Sequence, residues 1–405
     1  MKMNLREYIK ENYQNSVRNS LKKEQIKMPY PYTAPCVKGL FDDLFYWDTY
    51  FINKGLLIDN YIELAKNNIL DMSFLIKKYG YMPNSANYGL LNRSQVPLFS
   101  MMCDDFFEKT KDLEFVQNIL PSMKIEFDFW LEKRTFKNGV FHYGNNATDE
   151  FKTEFASEFK KRVLLSDENR SDLEIGDNAL AECESGWDFS PRFNHHALDF
   201  APIDLNSIMY KNAMIINKFN ALLNIKEDKY LLIADKIKKF ILTKMSKDDV
   251  YYDFDVVNSK HSSVVSCASF LVFALGIDDN LERFRKNYKL LNFEYGIAAT
   301  VPYKSENRYQ WAYPNIWAPL VTFAFMAAIN LKDFDSATKI ATSYVLLIEK
   351  EYGKNNALWE KYDAVCGSKS KVNEYQETEM LGWTAGTYVL LEEYLRHGKE
   401  NYFRG

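Results

Sequence analysis

The sequence predicts an all-α protein, read as one domain over residues 1–405. Apolar residues recur at helical spacing in long segments joined by short connections. No strand–helix–strand rhythm suggests a parallel sheet, and the strand-like pieces GVFHYG and DVYYDFDV are short and isolated. Hydrophobic residues make up 47% of the chain, enough for a large core at this length. Such helices can stack side by side or close into a double ring, and a double ring gathers its loops at one end around a central pocket.

The N-terminal stretch MKMNLREYIKENYQNS is polar and helix-like, with no apolar leader. YIELAKNNILDMSFLIKKYG puts Ile62, Leu64, Ile69, Leu70, Phe74 and Leu75 on one broad stripe and ends at Gly80, a residue type that stops helices. The polar stretch from Asn145 to Glu182 is the least regular and reads as an irregular insertion, either solvated or a lid over a site. DLNSIMYKNAMIINKFNALLNI opens on Asp204, a candidate N-cap, and KEDKYLLIADKIKKFILTKM follows almost at once. VVSCASFLVFALGI and IWAPLVTFAFMAAI are apolar throughout but shorter than the roughly 18 residues of a membrane span, so they read as helices buried on all sides. DSATKIATSYVLLIEKEYG and MLGWTAGTYVLLEEYLRHG complete the pattern. No fixed-period repeat is visible.

The formal charge is −4 and no basic stripe stands out, which argues against a nucleic-acid partner. The cysteines, Cys36, Cys103, Cys183, Cys267 and Cys366, are odd in number and far apart, with no CxxC or Cys/His spacing. Together with the five scattered histidines they point to no metal and no cofactor, and to a reducing, cytoplasmic compartment. His195 and His196 read as packing residues. The oligomeric state has no signature here.

Chemistry concentrates in aromatic-rich segments: LFYWDTYF, YMPNSANYGLLNRSQVPL, ESGWDFSPRF, NRYQWAYPNIWAPL and LWEKYDAVCGSKSKVNEYQETEMLGW. Each mixes rings with carboxylates, amides or a guanidinium at the edge of a helical pattern. That mixture suits a sugar, whose apolar face covers a ring while its hydroxyls need polar partners. Glycoside hydrolysis needs two carboxyl groups flanking one bond, one protonated and one ionised. Asp188, between Trp187 and Phe189, fits the acid, because apolar surroundings keep a proton on a carboxyl. An aspartate after Gly-Trp could equally be an N-cap. Glu360, with Lys361 beside it in sequence, fits the base, although sequence neighbours need not meet.

FYWDTYF, MPNSANYGLLNRSQVPL, CESGWDFSPRF, APIDLNSIMY, QWAYPNIWAPL, and EKYD followed by NEYQETEMLGWTAGTY occur in that order. As an ordered set, covering about Pro35 to Leu395, they resemble the trehalase family and its relatives, the inverting (α/α)6-barrel glycosidases. The resemblance implies a double ring of helices, Asp188 as general acid and Glu360 as general base. It also implies a sugar pocket of Phe41, Trp47, Asp48, Asn84, Arg93, Gln95, Gln310, Trp311 and Glu374.

The chain departs from that family's pattern on what would be the leaving-group side. Leu40 stands where the family has an arginine before Phe41. GNNATDEFKTEF shows no counterpart to the arginine of the Pro-Arg-Pro-Glu-Ser stretch, Ala312 replaces the aspartate of Gln-Trp-Asp, and GSKSKVN replaces a glycine run. The expectation is an inverting hydrolase of a small α-glucoside, with trehalose either a poor substrate or bound through substitutes recruited from Asn145–Glu182. A glucosylglycerate or mannosylglycerate hydrolase is the alternative, with Lys38, Lys304 and Arg308 as candidate partners for a glycerate carboxylate. A non-catalytic sugar-binding relative would have lost the acid or the base.

Overall fold

The computed structural model describes residues 4–20, 22–165, 169–372, 379 and 381–398. Fourteen α-helices run through these residues in chain order: α1 (Leu5–Asn15), α2 (Tyr46–Ile58), α3 (Ile62–Tyr79), α4 (Phe99–Thr110), α5 (Leu113–Lys133), α6 (Asp149–Val163), α7 (Asp172–Glu184), α8 (Ile203–Leu222), α9 (Lys229–Lys244), α10 (Phe270–Ala274), α11 (Leu281–Leu291), α12 (Ala318–Asn330), α13 (Phe334–Asn355) and α14 (Gly382–His397). Helices α2, α4, α8, α10, α12 and α14 touch in that order, and α14 returns to α2, so they close an inner ring. Helices α3, α5, α9, α11 and α13 pack outside it. Helix α1 completes the outer ring through Arg6, which meets Asp59, just past α2, at 2.7 Å and Glu392 of α14 at 3.4 Å. This is the (α/α)6 double ring.

Composition explains which helices go inside. Helix α12 is apolar on every face and buried along nearly its whole length, from Ala318 to Ile329. Outer helix α9 buries only Tyr230, Ala234, Ile237 and Ile241, a single stripe at spacings of three and four. The expected helix in VVSCASFLVFALGI is much shorter than its apolar run, comprising a 3₁₀ turn at Cys267–Ser269 and then α10. Asp204 does not cap α8, whose preceding residue is Pro202. Both oxygens of its carboxylate accept from the Arg192 guanidinium at 2.8 Å. No helix among the described residues is long and apolar enough to cross a membrane.

The Asn145–Glu182 stretch is not irregular as expected. It forms a hairpin of α6 and α7 outside the double ring. Thr148 and Ser171 cap the two helices through their side chains. The hairpin has its own small core of Ala156, Phe159, Val163, Ile175, Ala179 and Cys183, joined by Phe189, Tyr309 and Ala312 from neighbouring loops. The two helices come very close at Gly176, where a Cβ would lie 1.8 Å from the Lys152 carbonyl oxygen, so only glycine fits.

Candidate active site

A cavity of about 540 Å³ opens at the N-terminal ends of α2, α12 and α14. Of the eleven site residues named from the sequence, ten line it: Phe41, Trp47, Asp48, Asn84, Arg93, Gln95, Asp188, Gln310, Trp311 and Glu360. The eleventh, Glu374, lies outside the described residues. Lys38, Lys304 and Arg308 do not line the cavity.

Asp188 follows the end of α7. The chain turns there through Ser185, whose hydroxyl accepts from the Trp187 N–H, and Gly186, at φ +75° with Trp47 and Val96 packed against it. The rings beside Asp188 do not enclose it. Trp187 turns into the main core, stacked on Trp311 with centroids 5.5 Å apart and under the Arg192 guanidinium. Phe189 turns into the hairpin core against Phe159. Side chains one residue apart leave the backbone in different directions, so the rings pin the loop and the carboxylate projects between them. Its side chain is 30% exposed, with the Arg162 guanidinium 3.7 Å away, so the apolar setting expected from sequence is absent. The loop is further fixed by Gln310, whose side-chain N–H donates to the Asp188 carbonyl at 2.6 Å. His195, also in this loop, bonds Glu182 of α7 at 3.2 Å and the Tyr309 hydroxyl at 2.8 Å.

Glu360 sits just before a strand, Lys361–Asp363, that pairs antiparallel with Asn315–Trp317. Its side chain is buried and its Oε2 accepts from Lys361 Nζ at 2.9 Å, so these sequence neighbours do meet. The indole N–H of Trp383 fixes the Glu360 carbonyl at 3.1 Å. Asp48, in the first turn of α2, also lines the cavity and is buried there. Its burial, and then the charge of Glu360, push it up to about 8.

Aromatic packing makes the floor rigid. Trp311 stacks on Trp317 at 3.7 Å, and the edge of Trp383 meets both, while Trp47 lies 5.7 Å from Trp311. Gln95 accepts from the Trp47 N–H, and the Asn84 N–H donates to the Arg93 carbonyl. The Arg93 Nε and the Gln310 Oε1 are buried without a partner among the described residues. Such groups are costly unless a ligand or water satisfies them.

Sequence reasoning missed Glu158, Arg162, Trp317 and Trp383, which also line the cavity. Both tryptophans sit in segments already singled out as aromatic-rich. Glu158 and Arg162 lie on α6, where a signal was present: Phe151, Phe155, Phe159 and Val163 recur every four residues, a helical stripe inside a highly charged stretch.

The trehalase family model matches residues 1–395. The chain belongs to the trehalase family. It is 30% identical to the trehalase of Apis mellifera over 91% of this chain and 64% of that one, and 26% identical to the human trehalase over 89% and 66%. The chain therefore spans slightly less than two thirds of these relatives' length. Among solved structures, a neutral trehalase from Saccharomyces cerevisiae aligns with a TM-score of 0.77 at 23% identity, covering 92% of this chain and 75% of that one. A mannosylglycerate hydrolase from Thermus thermophilus aligns at 0.65 and 15% identity, covering 95% and 99%. Both show a shared fold.

Against the family pattern, Leu40 lines the cavity at its mouth and is 66% exposed, whereas Ala312 is buried in the hairpin core. Arg308, a candidate leaving-group cation from sequence, instead holds the end of α6. Its backbone N–H donates to the Val163 carbonyl and its guanidinium to the Arg162 carbonyl. These bonds satisfy carbonyls that a helix leaves open at its C-terminus.

Proposed function

We propose that the chain is an inverting glycoside hydrolase of small α-glucosides, with trehalose the first substrate to try. The observation that carries this reading is that Asp188 and Glu360 line one cavity together with Trp47, Asp48, Asn84, Arg93, Gln95, Gln310 and Trp311. A glucosyl unit on the tryptophan floor would take hydrogen bonds from Asn84, Arg93 and Gln95 and satisfy the polar atoms now without partners. Glu360 accepts a proton from water as the oxygen attacks the anomeric carbon. Asp188 gives its proton to the departing glycosidic oxygen, and the bond to that oxygen breaks as the new one forms. Buried Asp48, protonated at neutral pH, can both donate to and accept from a sugar hydroxyl.

Membership of the trehalase family supports the substrate class. Arg162, delivered by α6, supports a rebuilt leaving-group side in which trehalose remains a usable substrate. Incubation with trehalose should release glucose, and Asp188→Asn and Glu360→Gln should each abolish most of that release with the helical circular-dichroism signal intact. A wild-type chain that releases no glucose from trehalose or from any other α-glucoside would end this reading.

A further inference from the structure

We propose that Glu158 and Arg162 on α6 select the leaving group, accepting a neutral hydroxyl-bearing unit and rejecting an anionic one. This rests on the hydrolase reading above. The two residues are four apart on one helix, so they share a face, and both line the cavity. Depth orders the cavity. Asp48, Gln310 and Trp311 are 5% exposed or less, whereas Glu158 is exposed at the mouth. A glucosyl unit seated on the buried floor therefore sends its departing group toward α6. The Arg162 guanidinium stands 3.7 Å from Asp188 Oδ2, on the side where the leaving oxygen takes its proton.

A sugar or polyol hydroxyl can accept from Arg162 and donate to Glu158 in the same pose. A carboxylate there would meet the negative charge of Glu158 one turn away, a repulsive element of the kind that builds specificity. The hairpin holds both residues in place from behind. Gly176 permits the close approach of α7, and Arg308 binds the last carbonyls of α6.

The test compares kcat/KM on trehalose, on glucosylglycerate and on α-glucosyl fluoride, whose leaving group is a single atom that α6 cannot grip. Wild type should prefer trehalose to glucosylglycerate. Glu158→Lys should shift that ratio toward glucosylglycerate by roughly tenfold or more, the range expected when one charged contact changes sign. Arg162→Gln should lose at least about tenfold more on trehalose than on the fluoride. Ratios unmoved in both variants, or a wild type that prefers glucosylglycerate, would overturn the selection while leaving the hydrolase reading in place. Inertness toward all three substrates would instead bring down the hydrolase reading, and the selection with it.

Discussion

The ring-side wall of the cavity and the wall formed by the α6–α7 hairpin hold their side chains in different ways. On the ring side, Trp47, Trp317 and Trp383, at the ends of helices that are buried on nearly every face, interlock with Trp311 from the loop before α12, and Glu360 is fixed by a strand pair and an indole N–H. On the hairpin side, Glu158 and Arg162 ride on a helix outside the double ring, held by a separate small core. A mutation in the first wall disturbs the core of the whole protein. A mutation in the second can reshape one side of the cavity and leave the ring alone. Catalytic geometry placed on the first wall and leaving-group choice on the second would let specificity change without loss of the fold.

The largest effect separating the walls should come from Glu360→Gln, which removes the base. We expect a fall in kcat of at least about 10²–10⁴ on every substrate, measured by glucose release. Asp188→Asn, at the seam between the walls, should cost a similar factor on trehalose but distinctly less on aryl α-glucosides, which need little help from an acid. Equal losses on both substrate types would mean that Asp188 is not the proton donor.

Gly176→Ala should act on the hairpin alone. The added methyl has no room against the Lys152 carbonyl, so α6 must move and carry Arg162 with it. The expected result is roughly a tenfold fall in kcat/KM on trehalose, with a smaller fall on α-glucosyl fluoride. Parallel losses on both substrates would erase the distinction between the walls.

The smallest effect concerns stability on the ring side. Asp48 holds its proton up to about pH 8 in the folded chain but only to about 3.8 when unfolded. Between these values the folded state binds more protons, so this group makes the fold less stable as pH rises from about 4 to 8. Asp48→Asn should therefore raise the melting temperature at pH 7.5, by a free energy on the order of 1–3 kcal/mol, with the gain disappearing near pH 4. A gain equal at both pH values would show that Asp48 is ionised in the folded protein.

The same division governs what could be read from the sequence. Ring-side residues such as Trp47, Asp48, Gln310 and Glu360 lie in short aromatic motifs at helix edges, where an ordered set of segments marks them by position. Periodicity identified α3, α9, α13 and α14 because their apolar stripes are long. It overestimated α10, where a continuous apolar run carries no information about where the backbone leaves the helix. The hairpin was hidden by its charge. Helix α6 buries only Ala156, Phe159 and Val163 within fifteen residues, so its composition resembles a solvated loop. The Ser171-x-x-Glu174 start of α7 was a readable capping signal. The setting of Asp188 was misread for a simpler reason: sequence adjacency to two rings says nothing about where those rings point.

The most direct test of the account is proton NMR of trehalose hydrolysis in its first minutes, before the anomers equilibrate. Inversion by Asp188 and Glu360 turns the attacked glucose into the β-anomer and releases the other as the α-anomer, so the two should appear in equal amounts. Formation of α-glucose alone would mean that the reaction proceeds with retention, and the proposed division of roles between Asp188 and Glu360 would be wrong.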